Sequence, residues 1–236
     1  MPVSTSRAEI DREHREACDR VASRFSARWL RHYVAAKLLT DPVYPTAYDC
    51  LRNSEFPILD VGCGVGLLGF YLRERGCTQS FTGLDRDERK IRIAAGIAHR
   101  YEALDLLEGD AQGVIPEFEG NVVLFDVLHY LRPTSQRQLL RSLADCIAPA
   151  GMLLLRDCPR EPKPRYWATL WAEEFAQLIS WNRGDGLHFP SRASLNEALD
   201  ASRFSQKSEP LWGRTPFNNH LFIFRRHASE VVPQSG

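Results

Sequence analysis

The middle of the chain alternates short apolar runs with stretches whose apolar residues recur at helical spacing. The apolar runs predict five strands, at residues 57–61, 81–84, 103–108, 121–127 and 152–156. The helical stretches between them cover residues 67–75, 87–101 and 134–147. The run at 121–127 is almost unbroken, as is typical of a strand covered on both faces. Strands alternating with helices predict a doubly wound α/β fold with a mostly parallel sheet.

The last third of the chain does not show this alternation of strands and helices. A proline-rich loop at 158–164 and a turn-rich loop at 182–190 separate stretches of helical spacing at 166–181 and 191–201. Two further apolar runs, at 205–211 and 220–224, are joined by a segment rich in Gly, Pro and Asn. This arrangement predicts a closing hairpin. We therefore expect seven strands, of which the last is reversed.

The N-terminal residues 6–40 predict a helix. Four large residues repeat every four positions and would form one apolar stripe, namely Val21, Phe25, Trp29 and Tyr33. Two prolines, at 42 and 45, break the pattern, and residues 46–53 can hold one more short helix. The stripe has two interpretations. It packs against the core, or it belongs to a lid over a ligand, in which case Tyr33 and Lys37 would face the pocket.

These patterns divide the chain into three parts. Residues 1–55 are the helical extension or lid, residues 56–226 are the α/β domain, and residues 227–236 are a loose tail. Within the α/β domain, we expect residues 159–204 to form a helical insertion on the substrate side.

Composition is that of an ordinary globular protein. Of 236 residues, 44% are hydrophobic and 25% are charged, and 30 basic residues balance 30 acidic ones. The zero balance gives no general attraction to nucleic acid or anionic lipid. No apolar run is long enough to predict a membrane span, and the charged N-terminus argues against a secretory signal, so we expect a cytoplasmic location. The six cysteines are scattered, so we expect reduced thiols and no metal site.

A glycine loop directly follows the first predicted strand and precedes a helix. Its residues include Asp60, Gly62, Cys63, Gly64 and Gly66. Glycines let the backbone approach a ligand, and the amides at the start of the helix would point at that ligand. Two frames are open. A dinucleotide pattern fits from Gly64 to Gly69 but starts two residues late, whereas the frame from Asp60 starts where the strand ends.

Acidic residues also follow the next three predicted strands. Asp85 ends the second strand and could accept both hydroxyls of a ribose. Asp110 and Ala111 follow the third strand and could bond to an adenine edge, and Asp126 precedes Val127 at the end of the fourth. Ligands of open α/β sheets bind at the carboxyl ends of strands, so we expect these residues to share one site.

Five motifs in order resemble those of class I S-adenosylmethionine-dependent methyltransferases. They are ILDVGCGVGLLG (58–69), TGLDRD (82–87), GDAQ (109–112), NVVLFDVLHYL (121–131) and APAGMLLLRD (148–157). The resemblance covers residues 56–158 or so and implies a Rossmann-like domain that binds S-adenosylmethionine. It carries no information about the methyl acceptor.

The resemblance implies a set of cofactor-binding residues. They are Asp60, Gly62, Cys63, Gly64, Gly66, Asp85, Arg86, Asp110, Ala111, Asp126 and Val127. Asp60 would contact the amino group, and the glycines would pass close to the methionine part. Asp85 would hold the ribose, while Asp110 and Ala111 would bind the adenine edge with Arg86 beside it. The end of the fourth strand would lie near the methionine end.

Three residues are candidates for catalysis. The cofactor supplies the electrophile, so the protein must align the nucleophile and, for a phenol, accept its proton. His129 follows the fourth strand and suits a general base, with an ordinary pKa of about 6.5. Alternatively, it orders the cofactor or packs against Tyr130. His188 could line the acceptor pocket or be exposed, and Tyr33 is the third candidate.

The leading hypothesis is a methyltransferase that acts on a small molecule in biosynthetic metabolism. Many aromatic residues outside the α/β core suit an apolar or aromatic acceptor, although the same surface could bind a partner or a second copy in a homodimer. One alternative is an NAD(P)-linked oxidoreductase, which the glycine frame disfavours. Another is a non-catalytic protein that binds S-adenosylmethionine or a partner. No basic arm is present, so a nucleic-acid partner is disfavoured.

Two flanking segments resemble methyltransferases associated with aryl-polyene-type pigment biosynthesis. They are YVAAKLLTDPVYP (33–45) and LWGRTPFNNHLFIFRR (211–226). This second resemblance implies a phenol-bearing aryl acid, free or carrier-bound as a thioester, as the acceptor. Methylation would then occur on oxygen or on the ring carbon beside the hydroxyl.

Overall fold

Seven strands form one sheet in the computed structural model, which describes residues 7–113, 115–161, 164–178, 186–197, 199–213 and 215–228. The strands are β1 (Ile58–Val61), β2 (Phe81–Asp85), β3 (Leu104–Glu108), β4 (Asn121–Phe125), β5 (Met152–Asp157), β6 (Phe204–Pro210) and β7 (His220–Arg226). Their order across the sheet is β3-β2-β1-β4-β5-β7-β6. The strands from β3 to β5 are parallel, and β7 is antiparallel to both of its neighbours. The predicted fold class is confirmed.

Helices cover both faces of the sheet. They are α1 (Arg7–Ser23), α2 (Arg28–Thr40), α3 (Val43–Leu51), α4 (Leu67–Glu74), α5 (Glu88–Ala98), α6 (Pro133–Asp145), α7 (Pro164–Leu178) and α8 (Arg192–Asn196), with a 3₁₀ turn at Leu128–Tyr130. Side chains alternate along each strand, so one strand contributes to two apolar cores. In β5, for example, Met152 and Leu154 pack with the N-terminal helices, whereas Leu153 and Leu155 pack with α6.

The prediction of one N-terminal helix over residues 6–40 is wrong. The chain leaves the helix after Ser23 and re-enters it at Arg28, and Phe25 is buried in the connection. The guanidinium of Arg31 donates to the Phe25 carbonyl oxygen and thereby stabilises the break. The break shifts the apolar face by one position, because the buried residues of α2 are Leu30, Val34 and Leu38. The expected stripe is therefore interrupted, and its last two members, Trp29 and Tyr33, are exposed.

The first helix is anchored to the α/β domain through α4. Arg20 of α1 donates to Glu74 over 2.6 Å, and Nδ1 of His14 lies 2.7 Å from the hydroxyl of the buried Tyr71. The short helix expected at 46–53 is present as α3, but it starts earlier, at Val43, and includes Pro45 in its first turn. The extension therefore packs on the core with α1 and α3, while α2 presents a partly open face to the carboxyl ends of the strands.

The last third follows the prediction in outline. The described part of the expected helix at 166–181 is α7, and its end, including Trp181, lies outside the described residues. The helix expected at 191–201 is short, because α8 ends at Asn196. Both hairpin strands are present as β6 and β7. Among the described residues, no helix combines the length and the apolar character that a membrane crossing requires.

Candidate active site

A cleft of about 1080 Å³ opens at the carboxyl ends of β1, β2, β3 and β4. The sheet order reverses between β1 and β4, and such a switch point is where open α/β sheets bind ligands. Ten of the eleven residues expected to bind cofactor line this cleft: Asp60, Gly62, Cys63, Gly64, Asp85, Arg86, Asp110, Ala111, Asp126 and Val127. The carboxyl ends of the strands therefore bring together residues that are up to 67 positions apart in the chain, from Asp60 to Val127, as predicted.

The eleventh residue, Gly66, does not line the cleft. It precedes the first residue of α4 with a φ of +78°, and a Cβ there would lie 2.7 Å from Cδ1 of Leu106. Gly66 is needed for the left-handed turn and for close packing, not for ligand contact. The expectation that it approaches the cofactor is therefore corrected.

Gly62 and Gly64 shape the wall of the cleft. Both have positive φ values, +83° and +60°. A Cβ on Gly62 would overlap Cγ2 of Val127, whereas a Cβ on Gly64 would enter open space. The loop is tied to β2 because the backbone N–H groups of Gly62 and Cys63 both donate to the Leu84 carbonyl oxygen. The loop is thus a rigid concave surface that only glycine leaves open.

Asp85 joins this loop to the start of the next helix. Its Oδ2 accepts from the N–H of Gly64 over 2.8 Å, and its Oδ1 accepts from the N–H of Asp87 over 2.8 Å. Each carboxylate oxygen has a second lone pair, so Asp85 can also accept hydrogen bonds from a ligand. A pair of ribose hydroxyls is a suitable donor set at this position.

Asp60 is a buried carboxyl group at the end of β1, and 3% of the residue is exposed. Burial raises the pKa of Asp60 to about 8, and the nearby negative charge of Asp85 adds to this effect. A cationic ligand group beside Asp60 would restore the carboxylate form. A buried acid, an open glycine wall and the Asp85 carboxylate together fit a ligand with an ammonium group and a ribose, which S-adenosylmethionine has.

Arg156 forms an ionic bridge that the sequence did not reveal. Its side chain is 3% exposed and donates to both oxygens of Asp126 and to Oδ1 of Asp41. Asp126 has a φ of +57°, a left-handed conformation that is strained for a residue other than glycine. Lys37 lies 3.5 Å from the other oxygen of Asp41. The bridge therefore joins the end of β4 and β5 to the α2–α3 connection.

The charges within this bridge determine the ionisation of Asp41. Burial acts to raise the pKa of Asp41, but the positive charges of Arg156 and Lys37 overcome it and lower the pKa to about 2. For Asp126, burial outweighs the same Arg156 charge, and its pKa is raised. The one sequence signal for the bridge is a charged pair, Arg156 and Asp157, at the end of an otherwise apolar strand.

A second, smaller cavity of about 310 Å³ lies beside the cleft. We call it the inner cavity, and it is lined by Tyr33, Ala36, Lys37, Asp41, Asp126, His129, Arg156, Cys158, Thr169, Thr215, Phe217 and Asn219. Four of these residues, Tyr33, Lys37, Asp126 and Arg156, also line the cleft, so the two spaces share a boundary. The structure thus places Tyr33 and Lys37 at the junction of both spaces.

His129 lies in the lining of the inner cavity and is paired with a buried carboxylate. Its Nδ1 is 3.0 Å from Oδ1 of Asp157, which is fully buried, and its backbone N–H donates to Oδ2 of Asp157. The ring stacks on Phe189 with centroids 5.1 Å apart and also contacts Tyr130. Asp157 was not among the expected site residues, although it lies in the last of the five motifs.

His188 lines neither space. Its backbone N–H donates to the His129 carbonyl oxygen over 2.7 Å, and its own carbonyl accepts from the side chain of Gln136. Its backbone supports the 3₁₀ turn that carries His129, while its side chain lies outside the described linings of both spaces, so a catalytic role for His188 stays a prediction.

A family model described as a methyltransferase domain matches residues 12–205. The chain belongs to this methyltransferase-domain family. The match covers the glycine loop, Asp85 and the His129 turn, and it decides between the two cofactor hypotheses. The cofactor of the protein is S-adenosylmethionine, and the oxidoreductase alternative is not supported.

Several curated proteins that this methyltransferase-domain protein resembles share one name. A ubiquinone biosynthesis O-methyltransferase of Pseudomonas paraeruginosa (strain DSM 24068 / PA7) is 29% identical over 126 residues, which are 52% of this chain and 53% of that protein. The protein of the same name from Alkalilimnicola ehrlichii is 28% identical over 195 residues, 76% and 75% of the two chains. The chain thus spans about half the length of the first relatives it matches.

Solved structures agree with the fold. The pyocyanin biosynthetic protein PhzM superposes with a TM-score of 0.63 at 17% identity, covering 89% of this chain and 61% of that one. At this identity the similarity concerns the fold alone.

Proposed function

We propose that this protein transfers the methyl group of S-adenosylmethionine to a small aromatic acceptor, at a phenolic oxygen or at the ring carbon beside it. The observation that carries the proposal is the His129–Asp157 pair in a cavity that shares a boundary with the cofactor cleft. A base is needed there, because a phenol with a pKa of about 10 is protonated near neutral pH.

One group of residues would bind the cofactor, and a second group would activate the acceptor. When bound, the cofactor supplies an electrophilic methyl group. Asp60, the glycine wall and Asp85 would bind its ammonium group, methionine part and ribose. Asp126 and Arg156 at the junction would position the reacting end toward the inner cavity.

His129 would accept the proton of the acceptor hydroxyl. In the tautomer that carries its hydrogen on Nδ1, that N–H would donate to the Asp157 carboxylate, and Nε2 on the other side of the ring would be the proton acceptor. The charge that develops on His129 during proton transfer is then balanced by Asp157, as in other histidine–carboxylate pairs. A hydroxyl and an adjacent ring carbon both become nucleophilic once the phenol has lost its proton.

Two further observations support an aryl acceptor. The curated relatives are named as O-methyltransferases, which favours transfer to oxygen. The two segments that resemble aryl-polyene-associated methyltransferases both contribute to the inner cavity, through Tyr33, Lys37 and Asp41 in one and Thr215 and Phe217 in the other. The part of the chain that resembles enzymes of aryl metabolism thus lines the space where an acceptor would bind.

The proposal is tested in two steps. Calorimetry with S-adenosylhomocysteine should give one-to-one binding, and NADH should give none. A panel of monocyclic phenols is then incubated with the protein and S-adenosylmethionine, and products are identified by mass spectrometry as methyl ethers or ring-methylated phenols. Binding of S-adenosylhomocysteine without any product across the panel would favour the non-catalytic alternative.

A further inference from the structure

The charged groups that line the inner cavity are balanced against one another. The cations are Lys37 and Arg156, and the anions are Asp41 and Asp126. Lys37 is 3.5 Å from Asp41, and Arg156 bonds to both carboxylates. Within the described lining, the two positive charges are therefore matched by two negative charges, and each cation already has an anionic partner.

Three of the five N–H groups of Arg156 already donate to these two carboxylates. Its Nε and Nη2 donate to Asp126, and its Nη1 donates to Asp41. A guanidinium binds a carboxylate well through two parallel N–H groups, and Asp126 already occupies the pair formed by Nε and Nη2. His129 does not supply a permanent positive charge either, because it is neutral when it acts as a base and is backed by the negative Asp157.

Burying an anion is costly unless a cation pairs with it. A carboxylate entering the inner cavity would meet Asp41 and Asp126 as well as cations that these two residues already neutralise. A neutral group of the same shape meets no such penalty. We infer that the inner cavity binds the aryl acceptor as a neutral molecule, such as an ester, thioester, amide or aldehyde, and discriminates against the free aryl carboxylate.

The volume of the cavity suits a small ring system. A cavity of about 150 Å³ is enough for benzene, so about 310 Å³ accommodates one substituted ring. The other described lining residues carry no permanent charge, and they are Tyr33, Ala36, His129, Cys158, Thr169, Thr215, Phe217 and Asn219. This inference rests on the proposed function and adds the charge of the acceptor to it.

The test uses a pair of ligands that differ in charge and hardly in shape, 4-hydroxybenzoate and 4-hydroxybenzamide. Their affinities are measured by calorimetry with the full chain saturated with S-adenosylhomocysteine at pH 7.5, and methylation of both is followed with S-adenosylmethionine. We expect the amide to bind at least tenfold more tightly than the acid. The methyl ester of the acid is a second neutral probe and should behave like the amide.

A charge variant tests the cause of the preference. Asp41→Asn keeps the volume, removes one negative charge and releases Lys37, so the ratio of acid to amide affinity should rise about tenfold or more. Lys37→Gln should shift the ratio the other way, and it does not depend on Asp41→Asn folding well. Retained binding of S-adenosylhomocysteine shows that each variant is folded.

The outcomes separate the inference from the proposed function. Acid and amide that bind and react equally well would overturn the inference and leave the proposed methylation of a phenol standing. A preference for the amide that both variants leave unchanged would overturn the electrostatic cause. If neither probe nor the ester binds or reacts while S-adenosylhomocysteine binds, the proposed function fails and the inference fails with it.

Discussion

Oδ2 of Asp85 accepts a hydrogen bond from the backbone N–H of Gly64 over 2.8 Å, which ties the end of β2 to the glycine loop that follows β1. The same carboxylate caps the start of α5 through Asp87. One side chain therefore holds the loop in shape and offers remaining lone pairs to a ribose.

Asp85→Ala should therefore weaken cofactor binding strongly, with a modest loss of stability. Hydrogen bonds to a charged group contribute about 1.5–3 kcal/mol each, so losing two of them should lower the affinity for S-adenosylhomocysteine by about 100-fold or more. Calorimetry measures the affinity, and thermal unfolding checks the fold. Near wild-type affinity in this variant would contradict the ribose assignment.

Gly64→Ala tests the open wall of the cleft. The Cβ meets no protein atom, so the free protein should lose about 1–2 kcal/mol from the left-handed φ, while the methyl group occupies ligand space. Gly76→Ala is a matched control, since Gly76 also has a positive φ, +85°, and open space but lies outside the described cleft lining. Both variants should show similar drops in Tm, and only Gly64→Ala should weaken S-adenosylhomocysteine binding.

Asp60→Asn should stabilise the ligand-free protein at alkaline pH. The folded-state pKa of about 8 lies above the ordinary value of 3.8, so the folded protein keeps a proton that the unfolded chain loses. The stabilisation is therefore present at low pH and declines as pH rises toward 8. Between pH 5 and pH 8 the decline amounts to up to about 4 kcal/mol. The Tm advantage of the variant should grow over this range by up to about 8–16 °C.

The same variant should bind S-adenosylhomocysteine more weakly, because it lacks the partner of the ammonium group. For the wild type, affinity should rise between pH 6 and pH 8 with release of a proton, which calorimetry in buffers of different ionisation enthalpy detects. Asp105→Asn, at an exposed position of β3, is the control and should follow the wild type in both measurements. A pH-independent Tm difference between Asp60→Asn and the wild type would rule out the elevated pKa.

His129→Gln should lower kcat by about 10²–10⁴ while leaving S-adenosylhomocysteine binding intact, as expected for loss of a general base. A nitrophenol ionises without help near neutral pH. The kcat of the variant should therefore fall far less with a nitrophenol as acceptor than with an ordinary phenol. Asp157→Asn should show the same pattern in a weaker form. His188→Gln should keep kcat close to that of the wild type, because its side chain lies outside the described linings. Equal losses for both classes of phenol would contradict a base role.

Arg156→Met should destabilise the protein strongly. Removing one partner of a buried ion pair costs about 3–5 kcal/mol, because Asp126 would lose the cation that it binds and Asp41 would keep only Lys37. For a chain of this size, that corresponds to a fall in Tm of about 6–20 °C. Arg156→Lys should rescue little of it, since an ammonium group cannot bridge two carboxylates as the planar fork does. A Tm within 2 °C of the wild type would contradict the bridge.

The cofactor half of the site was accessible from the sequence because its residues follow a rule of topology. A glycine loop after the first strand and acidic residues after later strands must meet once the strands are parallel, whatever the side-chain packing. Gly66 is the exception, since distinguishing a turn glycine from a ligand-facing one requires knowing that Leu106 lies against it.

The acceptor half was not accessible in the same way. Asp41 and Arg156 are separated by 115 positions, and His129 and Asp157 by 28, and no periodic pattern links them. The break after Ser23 also has no strong local signal, because neither Gly nor Pro occurs there. Arg31 and the burial of Phe25 stabilise it through contacts that form only in the folded chain.

The sequence by itself determined the order of strands and helices, the sheet class and the location of the cofactor site. Local periodicity selects each element, and the handedness and spacing of βαβ units leave few ways to connect them. Only the tertiary structure decided which residues enclose the acceptor. Buried ion pairs and cavities depend on how distant segments pack, and the free energy of a charge depends on whether its partner is buried beside it.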